Sequence, residues 1–138
     1  MGALLDSARR GSDLVVVDLP RMVDEAAQVA LARTTVALLV VPAEVRACAA
    51  AARVSAALSL RCPDVRAVVR GPAPGGLTAD AVATSLALPL AASLRAEPGI
   101  AEALERGEPP GRRARGPLAR FCERFLAEIA GPADRAAA

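Results

Sequence analysis

Asp18 follows the apolar run in the stretch Asp13-Leu14-Val15-Val16-Val17-Asp18-Leu19-Pro20. The β-branched run before it has the composition of a strand buried on both faces, the kind found in parallel sheets. A carboxylate at the carboxyl end of such a strand stands where open α/β sheets bind ligands. In nucleotide-hydrolysing folds that position holds Mg²⁺, directly or through water, and Pro20 turns the chain away at once. The same aspartate could instead cap the loop or helix that follows, and spacing alone leaves both readings open. Gly71-Pro72-Ala73-Pro74-Gly75-Gly76 lies between a predicted strand and a predicted helix, where a phosphate cradle would sit. Its two prolines remove N–H donors and no Gly-Lys-Ser/Thr follows, so an ordinary crossover loop is expected. The third candidate is near the C-terminus, where Leu118, Phe121, Cys122, Phe125, Leu126 and Ile129 recur at helical spacing. Arg112, Arg113 and Arg115 precede them, a combination that suits contact with a partner or a membrane surface through Phe121 and Phe125. Glu123 and Glu128 balance Arg120 and Arg124 on the polar side, which favours packing on a core over lipid binding.

What the 138 residues lack narrows the chemistry further. There is no histidine, tryptophan or tyrosine, and all 17 basic residues are arginine. A histidine base, a lysine Schiff base and a phosphate-loop lysine are therefore beyond this chain alone. A formal charge of +2, with arginines scattered among acids, does not imply nucleic acid. Aromatic platforms for single strands are missing too. Three dispersed cysteines, Cys48, Cys62 and Cys122, propose neither a disulfide framework nor a zinc site. A reduced, cytoplasmic protein is expected, in contact with the inner face of a membrane at most peripherally. No apolar run reaches the roughly 18 residues that would span a bilayer.

The elements that must position these residues alternate. A short helix over about 3–10 precedes the 13–19 strand, and a helix over about 23–33 follows it. Val36 to Val41 reads as a second buried strand closed by Pro42, and Glu44 to Leu60 as a long alanine-rich helix. Val65 to Val69 is a third strand, after which Thr78 caps a helix reaching about Leu86. Leu88-Pro89-Leu90 is a short strand or extended edge. Pro98 begins a helix stopped by Gly107, and Pro117 begins the last helix, which ends near Ala130. This predicts a single α/β domain over 1–130 with a flexible tail over 131–138. Its core is a parallel sheet of three main strands with crossover helices and a C-terminal helix.

The wording of these strands resembles a known family. Ser12 to Pro20 is similar to the "yDyvviDtP" stretch of the ParA/MinD-type deviant P-loop ATPases, which contains the Walker-B-type aspartate. In order down the chain, Thr35 to Glu44 resembles "ad.vllVv.pe" and Val65 to Arg70 resembles "lvvNr". Leu86 to Leu90 with Leu94 to Pro98 resembles "lglpvlg.iped", and Ile100 to Pro109 resembles "v.eAl.rGkPl". The likeness is greatest to the CpaE/TadZ-like, septum-site-determining-like branch. It implies a partial three-layer α/β/α, P-loop-NTPase-like (Rossmann-like) fold. In that family Mg-ATP is the cofactor, and nucleotide-dependent dimers position septum, pilus or secretion machinery.

Carried over by position, the resemblance makes Asp18 the metal-side residue and puts Pro20, Arg70, Gly71, Glu97 and Pro98 on the nucleotide side. Arg70 stands where the family often has an asparagine, and Arg21 where it has a small residue. The family's lysine-bearing phosphate loop precedes the Walker-B strand, whereas only eleven residues precede Ser12 here. The resemblance thus covers a C-terminal half that, by itself, would bind no cofactor and assemble no catalytic site. The alternative is a non-catalytic interaction module working through a sheet edge or the C-terminal helix, as a homodimer or with a protein partner. An unpaired strand edge would also promote self-association.

Overall fold

A computed structural model describes residues 1–72, 75–111 and 115–130. In chain order these form α1 (Gly2–Arg10), α2 (Glu25–Leu31), β1 (Ala37–Pro42), α3 (Val45–Ser59), β2 (Val65–Arg70), α4 (Ala79–Ser85), β3 (Leu90–Leu94), α5 (Ile100–Glu105) and α6 (Pro117–Ile129). The strands make one parallel sheet in the order β1-β2-β3. Ala37 pairs with Val65 and Pro42 with Arg70, in regular register. Between β2 and β3 the register slips once, at Ala67/Val68.

Alternation along β2 divides its side chains between two faces. Val69 and Ala67 join Val41, Ala51, Val82, Ala83 and Leu86 in a core under α3 and α4. Val65 joins Leu31, Leu58 and Cys62 in a second cluster at the amino ends of the strands. On the opposite face Val68 and Ala92 meet Phe121 of α6. The only buried polar side chain is Ser55 among the described residues, and its hydroxyl donates to the Leu86 carbonyl at 3.3 Å. That bond ties α3 to the end of α4 at a point where an unpaired hydroxyl would be costly.

Local chemistry sets the helix ends. Asp24 accepts from the Ala27 amide at 2.8 Å and Thr78 from the Ala81 amide at 3.1 Å, the arrangement of N-capping side chains. The expected Thr78 cap is therefore present. The helix expected over 23–33 is shorter because Asp24 caps it, which leaves Val23 free to pack on the amino-end cluster. The helix expected to begin at Pro98 starts at Ile100 instead, with Gly99 in the left-handed region (φ 71°) as its N-cap.

The segment 13–19 departs from expectation. It is not a strand, and the third strand of the sheet is β3 instead. Val16 is 82% exposed, and residues 12–22 exchange no backbone hydrogen bond with any described residue. A β-branched run is stable as a strand only with a partner for its N–H and C=O groups. Lacking one, the segment has found burial at its far end, where Leu19 packs on the Leu31–Leu58–Cys62–Val65 cluster. The outer edge of β1 likewise has no strand beside it among the described residues. Val40, on the same face of the sheet as Val68, is 62% exposed.

No helix among the described residues is long and apolar enough to cross a membrane.

Candidate functional site

The carboxyl ends of parallel strands are where an open α/β sheet offers a ligand its loops and helix starts. Here those ends are stitched together. The Ala43 amide donates to the Arg70 carbonyl at 3.0 Å, and the Gly71 amide donates to the Leu94 carbonyl at 2.9 Å. Arg70 is exposed at the end of β2, and Gly71 leads through a cis peptide into Pro72. Of the glycine-proline loop that follows, Ala73 and Pro74 lie outside the described residues. The loop after β3 carries Glu97 and Pro98. Together with Ile100, Leu104, Arg106 and Pro109 they line an open hollow of about 390 Å³. Within it the Arg106 guanidinium donates to Glu108 at 2.8 Å.

Arg70, Gly71, Glu97 and Pro98 are thus brought to one end of the sheet. Asp18 and Pro20 are not. Both are exposed, and their neighbour Leu19 is packed at the amino ends of the strands. Among the described residues no three acidic or cysteine side chains come together in a way that could hold a metal ion. In this arrangement of the segment, Asp18 stands apart from the carboxyl ends of the strands, where a Mg²⁺ site would lie.

Glu97 has a partner that no local pattern in the sequence announces. Its Oε2 accepts from the Leu118 amide at 3.3 Å, in the first turn of α6. Gly116, the N-cap of that helix, is covered by the same carboxylate, which a Cβ at this position would overlap. Helix α6 has no acidic residue of its own in its first turn. The cap and the negative charge that favour its positive end come from 21 residues earlier in the chain.

The other end of α6 is held from β2. Arg66 forks onto Asp64 through Nε and Nη2, at 2.9 and 2.8 Å, and also pairs with Glu128. Its guanidinium carbon lies 6.0 Å from the centre of the Phe125 ring, which stacks on Phe121 at 5.5 Å. The Arg66 hydrogen bond holds the Asp64 carboxyl below the usual carboxylate range, and Asp64 and Glu128 together push Arg66 further above its usual value. Phe121 is buried and Phe125 half-buried, so the first is turned into the core and away from any partner. Arg115 is exposed, whereas Arg112 and Arg113 lie outside the described residues.

No family model matches the chain. Two Mycobacterium tuberculosis proteins, Rv3660c (strain H37Rv) and MT3760 (strain CDC 1551 / Oshkosh), are 50% identical to it over 105 residues, which is 76% of this chain. The matched part spans only 30% of either relative. Among solved structures, the MinD cell division protein of Aquifex aeolicus superposes on 91% of this chain with a TM-score of 0.74 and 20% identity. The fold is MinD-like. The MinC:MinD cell division protein complex of the same organism gives a TM-score of 0.77, again at 20% identity and 91% coverage. The MinD-like, P-loop-NTPase-like fold agrees with the expected class. The chain spans 58% and 57% of those two MinD chains, a little over half of each.

Proposed function

We propose that this chain is the C-terminal portion of a MinD-type nucleotide switch of the CpaE/TadZ-like branch, which positions septum, pilus or secretion machinery. The observation that carries the reading is the MinD-like fold over 91% of the chain, matched to little more than half of MinD. The ordered likeness of the segments around Asp18, Val41, Arg70 and Glu97 to the family's strands supports it independently. On this reading Arg70, Gly71 and Pro98 flank the nucleotide. Asp18 becomes the metal-side carboxylate once its segment is paired as a strand. Mg-ATP would then be held jointly with a lysine-bearing phosphate loop, because this chain contains no lysine.

Topology supports the same division. An open α/β sheet binds its ligand where the strand order reverses. The order β1-β2-β3 is sequential, and α3 and α4 share one core. The crevice therefore belongs beside the outer edge of β1, which needs a further strand. The test is Mg-ATP titrated calorimetrically into this chain and into full-length Rv3660c. Binding by the longer protein alone is expected. Micromolar binding by the 138-residue chain, or binding by neither, would count against the reading.

A second reading has its own observation. The uncharged edge Ala37–Val41 and the exposed Val40 suit a non-catalytic module that pairs with a second copy or a protein partner. One similar structure is itself a complex, of MinC with MinD.

A further inference from the structure

Helix α6 is tied down less by burial than by its two ends. Of its 13 residues only Phe121 is buried, and Leu126 and Ile129 remain 44% and 36% exposed. An isolated helix of this length is marginal in water, so its contacts with the sheet decide whether it stays in place. Besides Phe121 and Phe125 over Val68 and Ala92, one polar contact is the Arg66–Glu128 pair, and Glu128 is largely exposed. The other is Glu97, whose carboxylate accepts from the Leu118 amide and fills the space over Gly116. Gly116 has an ordinary φ of −70°, so no backbone requirement calls for glycine there. A Cβ there would meet the end of the flexible Glu97 side chain, so any larger residue must move that carboxylate. Glu97 at the same time lines the hollow at the carboxyl end of β3.

We propose that Glu97 is a latch: the loop after β3 holds the amino end of α6 on the sheet through this carboxylate, while Arg66 holds its far end. Whatever draws Glu97 into the hollow releases the helix and uncovers the apolar surface of Val68, Ala92 and Leu94 beneath Phe121. The latch rests on the Glu97–Leu118 contact and not on nucleotide binding, so its test needs no nucleotide.

Hydrogen exchange measured on the whole chain separates a latch from a plain cap. A cap protects only the turn it closes, whereas a latch governs opening of the whole helix as a unit. Glu97→Ala is expected to speed exchange of amides from Leu118 through Ile129 by about tenfold, the size of losing a charged hydrogen bond. The amides of Val65–Val69 should be unchanged, and a dye that binds exposed apolar surface should report the opened face. Gly116→Ala leaves Glu97 in place but displaces its carboxylate, and should reproduce the effect. This keeps the test decisive if Glu97→Ala does not fold. Acceleration confined to residues 118–120 would reduce Glu97 to a cap and overturn the latch. Equal acceleration in β2 would make it a general stabilising contact and overturn it as well.

Discussion

Arg66 does three things at once: it grips Asp64, pairs with Glu128 and lies against the Phe125 ring. The Asp64 carboxyl is held low by the Arg66 hydrogen bond. A carboxyl depressed in the folded state stabilises the fold above its unfolded value, about 3.9, and that stabilisation is lost as pH falls through the folded value. The melting temperature should therefore decline below about pH 4, with a shallower decline in Asp64→Asn. Since the pair is partly exposed, the whole effect is on the order of 1 kcal/mol or less. A pH series of thermal melts on both proteins checks it, and identical acid limbs would remove Asp64 from the account. Asp18 illustrates the reverse relation between residue type and environment. Its neighbours in sequence describe a strand end, but its surroundings in space are solvent. A residue's type and flanks are legible locally, whereas the groups that meet it are not.

At the scale of elements, the strands β1 and β2 and the helices α3, α4 and α6 stand where apolar period and caps place them, because each buries its own pattern against a neighbour within the chain. The segment 13–19 has an equally good pattern and fails, since hydrogen bonding in a sheet is shared between strands and its partner is not among the described residues. The end of α4 shows a subtler departure. Its C-terminus is closed by bonds from the Ala87 amide to Thr84 and the Leu88 amide to Ala83, at 3.1 Å each. That places Ala87 in the left-handed region at φ 53°, a position that glycine usually fills. Nothing in the sequence marks an alanine for this role. What demands it is Leu88, which packs between the two core clusters on the α3 side. Ala87→Gly should relieve the strain and raise stability by about 1 kcal/mol. Denaturant unfolding would read this as a higher midpoint at unchanged slope, and a lower midpoint would contradict it.

For the whole molecule, the alternation of strands and helices from Val36 onward agrees with the MinD-like fold, because sequential parallel strands joined by crossover helices leave few arrangements. The candidate site was legible in part. Arg70, Gly71, Glu97 and Pro98 share one end of the sheet because a parallel sheet gathers all its carboxyl ends there. The use of Glu97 by a helix 21 residues away was not legible, since no spacing rule links a loop to a distant helix start. The central claim is that segment 13–19 is unpaired and that no strand lies beside the outer edge of β1 among the described residues. Amide hydrogen exchange on the 138-residue chain tests it most directly. Residues 13–19 should exchange at the rate of an unstructured peptide, while Val65–Arg70, bonded on both sides, should be among the slowest. Slow exchange across 13–19 in a monomer would contradict the account, because it would mean that the strand of Asp18 is already paired.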